Sequence, residues 1–181
     1  MKLFAVGWIG ALAACKVIAQ EISPSRGPAH CYLEATNVSN FDEIRNNWQD
    51  DWGSFDRDHF HRVVLKIRAG TTDHTGGPVK IAWFWIGRRM IDNELTVYGL
   101  GGQQLQIPAA YFKECYAAAP ELGNREVNLP AINRRYVSGA KYEGWIVTVS
   151  DSNNQMMQVK ASSEPLRQLY LNQAEFSKLL P

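Results

Sequence analysis

The chain has 181 residues and a formal net charge of +1 at pH 7, from 19 Lys plus Arg against 18 Asp plus Glu. That length suits one domain, and the balanced charge excludes a whole-molecule field that would draw the protein to nucleic acid or anionic lipid. With 45% hydrophobic and 20% charged residues, the composition is that of a chain that folds around a core.

The N-terminus reads as an export leader. Lys2 precedes the apolar run Leu3 to Ala14, and Lys16 ends the run short of the roughly 20 residues that a membrane-spanning helix needs. Two processing routes fit: a cut before Gln20, after the small residues Val17 and Ala19, or a lipobox Leu12-Ala13-Ala14-Cys15 with lipid on Cys15. The expected organisation is a leader over 1–19, a Pro/Gly/Ser-rich tether over 20–30 and one domain over 31–181. The expected location is the periplasm or cell surface, with membrane contact only through a lipid on Cys15. A cut before Gln20 removes Lys2 and Lys16, leaving 17 basic against 18 acidic residues, a charge of −1. In an exported chain Cys31 and Cys115 are expected to pair, closing a loop of about 83 residues worth on the order of 4 kcal/mol.

From Cys31 onward the dominant period is two. The first strand is expected at Cys31 to Thr36. In His59 to Ala69, one face carries His61, Val63, Leu65 and Ile67 and the other Phe60, Arg62, Lys66 and Arg68, a half-buried strand. Pro78 to Ile86 is apolar on both faces, with Val79, Ile81, Trp83 and Trp85 on one and Ala82, Phe84 and Ile86 on the other, so it reads as a central strand. Further strands are expected at Glu94 to Tyr98, Ala110 to Tyr116, Gly144 to Ser150 and Met156 to Ala161, the last two joined by the turn Asp151-Ser152-Asn153-Asn154. Ser163-Glu164-Pro165 then opens a helical pattern through Leu166, Leu169, Tyr170, Phe176 and Leu179. Seven short strands without alternating helices predict an all-β sandwich with a C-terminal helix. Asn37 to Asp58 and Ala117 to Lys141 read as long loops, and Gly99-Leu100-Gly101-Gly102 as a turn.

Several constellations could carry chemistry. His59 and His61, two apart on a strand, project to one side and could share a zinc or copper ion, with Asp58 or Asp56 as oxygen ligand. The competing reading packs His61 at the core edge and leaves His59 in solvent. Asp42, Glu43, Asp50, Asp51, Asp56 and Asp58 make the first long segment acidic, without the ordered spacing of a calcium loop. Trp48 and Trp52 could stack on a sugar or pin that segment to the sandwich. Trp83 and Trp85 read as core. Phe84 and Ile86, if uncovered, form an apolar partner patch. Arg88-Arg89 and Arg134-Arg135 are basic pairs at strand ends. No nucleophile, base and orienting group assemble into an enzyme signature, and no cofactor motif is found, so none is expected.

The block Gly139-Ala140-Lys141-Tyr142-Glu143-Gly144-Trp145-Ile146-Val147-Thr148-Val149, followed by Asp151, Lys160-Ala161-Ser162-Ser163 and Leu166, resembles small exported immunoglobulin-like proteins of the Verrucomicrobia and related bacteria. Val64-Leu65-Lys66-Ile67-Arg68 and Ile81-Ala82-Trp83-Phe84-Trp85 match their earlier strands, so the resemblance spans Arg62 to Leu171. It implies an immunoglobulin-like fold and, because some such proteins resemble parts of type IV pilus-like systems, envelope assembly or surface attachment. The cysteines depart from the antibody pattern, since Cys31 lies in the first strand and Cys115 in the fifth. The expected function is a non-catalytic exported binding or assembly module of the cell envelope, pilus-associated in its narrower form. An envelope or pilus-system protein is the expected partner, with a glycan second and a homo-oligomer compatible; a metal-dependent or hydrolytic enzyme is the alternative.

Overall fold

The computed structural model describes residues 31–49, 54–71, 77–108, 110–151 and 153–181, apart from the side chains of 47–49, 54–56 and 131. The expected leader, tether and two processing sites lie outside the described residues. Eight strands run in chain order: β1 (Cys31–Gln49), β2 (Ser54–Thr71), β3 (Gly77–Arg89), β4 (Leu95–Ile107), β5 (Phe112–Ala118), β6 (Leu122–Leu129), β7 (Arg134–Ser150) and β8 (Met156–Ala161). Two short helices follow, α1 (Glu164–Leu171) and α2 (Gln173–Phe176), with Pro165 in the first turn of α1.

All the pairings are antiparallel and form one path, β1-β2-β6-β7-β3-β4, with β5 beside β2 and β8 beside β7. The path folds double because β7 belongs to two sheets. It pairs with β6 as far as Gly139 and with β3 from Ala140 onward. Gly139 stands at that corner with φ +82°, in the left-handed region, and a Cβ there would collide with the Gly123 carbonyl and lie 2.9 Å from Asn124 Cα. The first, second and fifth strands thus face the third, seventh and eighth, with β4 added beside β3. This is the strand distribution of an immunoglobulin-like sandwich with an extra strand on its second sheet.

The alternation of β2 supplies the inner face of the first sheet through Val63, Leu65, Ile67 and Ala69, all at most 1% exposed. Against it lie Val79, Ile81 and Trp85 of β3, Leu105 and Ile107 of β4, and Trp145, Val147 and Val149 of β7. Asn37 keeps the inward parity of Cys31, Leu33 and Ala35, opposite Leu65 just before the bulge between Asn37 and Ser39, and its Oδ1 accepts from Trp145 Nε1 at 3.0 Å. That contact gives the indole N–H of buried Trp145 its partner.

The second core explains why β3 is apolar on both faces. Phe84, Ile86, Val97 and Ile146 point away from the sandwich interior and meet Leu166, Tyr170 and Phe176 of the C-terminal helices. Phe176 stands edge-on to Phe84 and Tyr170, with ring centroids 5.1 and 4.8 Å apart. Phe84 and Ile86 are 3% and 0% exposed, so the expected partner patch on them is corrected: the C-terminal helices are what covers it.

Three further expectations change. The two long loops are strands, since β1 runs on to Gln49, β2 begins at Ser54, and β6 with the first half of β7 fills most of 117–141. These lengths form a four-stranded extension beyond the sandwich, and in β1 residues 38–46 are exposed or half-buried, so no apolar period marks them. Gly99 to Gly102 lies within β4, not in a turn. A Cβ on Gly101 would sit 2.6 Å from Trp83 Nε1 and one on Gly99 2.6 Å from Pro120, so these glycines make room for neighbouring rings.

Cys31 and Cys115 are free and buried. Cys31 is opposite Thr71 on one side of β2 and Cys115 opposite Ile67 on the other. Two strand spacings of roughly 4.8 Å already exceed the ~7 Å Cα separation that a disulfide tolerates, before their offset along β2 is added. Burial also pushes both thiols above their ordinary value, disfavouring the reactive thiolate. Unreduced protein is therefore expected to leave Cys31 and Cys115 unmodified by an alkylating reagent when native and to label both when unfolded; peptide mass mapping checks this, and a linked pair would refute it.

Candidate binding surface

The two outer faces of the sandwich differ. α1 and α2 cover the face of β3 and β7, whereas on the β1-β2-β5 sheet the described residues leave a row of rings exposed. Strand register sets that face in rows: Tyr32, Gly70 and Phe112, then Glu34, Arg68 and Glu114, then Thr36, Lys66 and Tyr116. A Cβ on Gly70 would lie 2.9 Å from that of Phe112 and 2.7 Å from the Tyr111 carbonyl oxygen, so the glycine leaves a notch between the rings of Tyr32 and Phe112. Tyr111 stacks on Phe112 at 5.2 Å and 4°. Tyr32, Tyr111 and Tyr116 are 45%, 57% and 61% exposed.

The charges between these rings are matched across the strands. Arg68 lies 3.3 Å from Glu34 and 3.1 Å from Glu114, and Lys66 2.9 Å from Glu114. The Arg68 guanidinium also stacks over Phe112, 3.9 Å from its centroid. Tyr32 Oη donates to Glu34 at 2.7 Å, which together with Arg68 holds the Glu34 carboxyl below its ordinary range. The pattern continues down the extension, where Arg62 approaches the Phe41 ring and Arg45 the Phe60 ring, and Arg62 pairs with Glu121. Such exposed pairs contribute little to stability individually, but they leave the face with small net charge and its aromatic rings outward.

At the other end of the inner face, His59 and His61 do project to one side, as their spacing predicts. The carboxylate that joins them is Asp42 of β1, not Asp58. Asp42 bonds His59 Nε2 directly and lies 3.8 Å from His61 Nδ1. Asp58 points to the opposite face, 3.8 Å from Arg125. The expected set of His59, His61 and Asp58 is corrected accordingly, because residues one apart on a strand face opposite ways; the Asp56 side chain lies outside the described residues. Among the described residues no three His, Cys, Asp or Glu side chains form a group that could hold a metal ion.

His61 stacks on Tyr142 of β7, centroids 4.3 Å apart, and its Nε2 together with the hydroxyls of Tyr98 and Tyr142 has no hydrogen-bond partner among the described residues. Burial raises the Tyr142 phenol to about 12 and the Tyr98 phenol further, the nearby Tyr142 adding to it, so both are neutral. Burial pushes His61 below its ordinary 6.5 against the opposing pull of Asp42, while the bonded His59 holds Asp42 below its ordinary 3.8. The unfolded chain therefore takes up a proton near pH 6.5 that the folded chain resists. The stability from neutral His61 is complete above that value and lost as the pH falls through it towards the lowered folded value; Asp42 loses its share only in stronger acid. The urea midpoint is expected to fall from about pH 7 to about pH 5, and His61→Phe to flatten that slope; an equal slope in the variant would refute the assignment.

The Trp48 side chain, Trp52, Asp50 and Asp51 lie outside the described residues. Trp85 is core, and Trp83 is half-buried against Gly101. Arg88 pairs with Glu143 at 3.2 Å, Arg89 with Asp92 and Glu94, and Arg135 with Glu126 at 2.8 Å, while Arg134 donates to Tyr136. Glu43 pairs with Arg45. Sequence reasoning passed over Tyr32, Tyr111, Phe112 and Tyr116. For Tyr32, Phe112 and Tyr116 the available signal was the solvent side of two expected strands, where aromatic residues stood in place of the usual polar ones; Tyr111 precedes β5 and carries no such signal.

No family model matches the sequence, and no curated protein matches it. Among solved structures, a crystal structure from Akkermansia muciniphila is similar at 9% identity over 84% of this chain and 81% of that chain, with a TM-score of 0.32. An X-ray structure of a Northeast Structural Genomics Consortium target is similar at 9% identity over 67% of this chain and 86% of that one, with a TM-score of 0.26. Likenesses this distant carry no argument about what the chain does.

Proposed function

We propose that this protein is a non-catalytic binding module of the bacterial cell envelope, exported by its leader, which engages a partner through the face of β1, β2 and β5 that the described residues leave exposed. One observation carries the reading: of the two outer faces, one is covered by helices, while the other presents Tyr32, Tyr111, Phe112 and Tyr116 among charges already paired with one another. Rings held outward on a rigid sheet offer contact area at small conformational cost, and paired charges lose less on dehydration than isolated ones. An envelope protein is the partner that such a flat, mixed face fits, a pilus-system protein in the narrower form, with a glycan second. The immunoglobulin-like resemblance of the β7–β8 block supports the same assignment.

The test compares the wild type with a Phe112→Ser, Tyr116→Ser double variant against immobilised envelope extract and a glycan array, after matched unfolding midpoints show both are folded. Binding is expected to fall about tenfold or more in the variant, as for a pair of aromatic contact residues. Equal binding by both proteins, or hydrolytic turnover without any binding, would overturn the proposal.

A further inference from the structure

The second sheet ends at β4, and among the described residues no strand pairs with its outer edge. Other open edges carry charge: Glu34, Asp42, Glu43 and Arg45 on β1, Lys113 and Glu114 on β5, and Lys160 on β8. β4, at 13 residues, carries no charged residue and no proline. Proteins ordinarily blunt an exposed edge with such residues, because its unpaired N–H and C=O groups template another strand. The bulge in β4 lies opposite Trp85 and Ile86, so the remainder, Gly99 to Ile107, pairs with β3 in regular register.

From that observation, we propose that β4 is a dimerisation edge that pairs antiparallel with β4 of a second copy of this chain, about a two-fold axis at Gln103. The strand's own side-chain sequence selects this occupant. Antiparallel pairing about Gln103 sets exposed Gly102 opposite exposed Gln104 of the other copy, while Gly99 and Gly101, filled by the Pro120 and Trp83 rings of their own chain, come opposite Ile107 and Leu105, which stay in their own core. Leu100 meets Gln106, and Gln103 meets its own copy, where two side-chain amides exchange donor and acceptor. Directly opposite residues share a face, and the register agrees: Gly99, Gly101, Gln103, Leu105 and Ile107 all lie opposite inward residues of β3, from Trp85 to Gly77. A neutral strand brings no like-charge repulsion to its copy, and a two-fold contact uses one patch twice. Trp83, half-buried with its indole across Gly101, lies beside the proposed seam and gains cover from it.

Sedimentation of the full chain over a concentration series tests this with Gln103→Lys and Gln103→Glu, substitutions at an exposed position. The wild type is expected to form a reversible dimer. Each variant alone is expected to dimerise at least about tenfold more weakly, because like charges meet on the axis, and an equimolar mixture to recover the dimer. Unfolding midpoints at monomeric concentrations control for folding. A wild type that stays monomeric up to its solubility limit, variants that dimerise as well as the wild type, or a mixture that stays monomeric would overturn the assignment.

Discussion

Truncation after Ser163 is expected to abolish folding to a soluble monomer. The segment removed carries Leu166, Tyr170 and Phe176, 4%, 2% and 3% exposed, which cover Phe84, Ile86, Val97 and Ile146. At roughly 1.5–3 kcal/mol for each large apolar side chain buried, the three anchors together contribute about 5–9 kcal/mol as an upper bound. That is comparable with the whole net stability of about 5–15 kcal/mol usual for a domain. The strands would also expose a contiguous apolar patch on β3 and β7, which favours aggregation. Size-exclusion chromatography and circular dichroism of the truncated chain check this. Phe176→Ala is the graded version, expected to cost about 3–5 kcal/mol. A truncated chain that stays monomeric with a cooperative transition would show that the second core is dispensable.

The sandwich and its helical cover were legible because burial wrote them in two periods. Val63, Leu65 and Ile67 alternate because one face of β2 is wet, and β3 does not alternate because Trp85 faces the interior while Phe84 faces the helices. Leu166 and Tyr170 recur at helical spacing for the same reason, and Phe176 joins them from the next helix. The extension was illegible. The solvent-exposed stretch of β1 from Val38 to Asn46 is held in register by backbone pairing with β2, to which side-chain polarity is indifferent. The glycines of β4 misled for a related reason, since glycine marks both turns and close approaches, and the rings of Trp83 and Pro120 that require them are remote in sequence.

The site was half legible. Strand alternation placed His59 and His61 on one side, but Asp42 reaches them only through the β1–β2 register, which depends on the bulge at Val38. Parity argued for a Cys31–Cys115 bond, yet pairing order places β2 between the two thiols. The exposed rings around Gly70 come together across three strands, so no single segment displays them.

Trp85→Ala is expected to be the most damaging single substitution in the sandwich interior, costing about 3–5 kcal/mol. Trp85 is 1% exposed, packs within the main core beside Trp145 and Val147, and lies 3.2 Å from where a Gly99 Cβ would stand. Its removal leaves a cavity bounded by hydrogen-bonded strands on both sides, because β3 is paired with β4 and β7 along this stretch and cannot collapse inward without breaking those ladders. Trp83 is the internal control, since it shares the strand and the inward face but is only half-buried at the β4 edge. Removing its ring opens space to solvent rather than a closed void, so Trp83→Ala is expected to cost less than half as much. Urea midpoints of the two variants at fixed pH and low protein concentration make the comparison, with unchanged m-values as evidence that the folded state is retained. A Trp83→Ala loss equal to or greater than that of Trp85→Ala would place the centre of the core at the β4 edge instead of between β3 and β7.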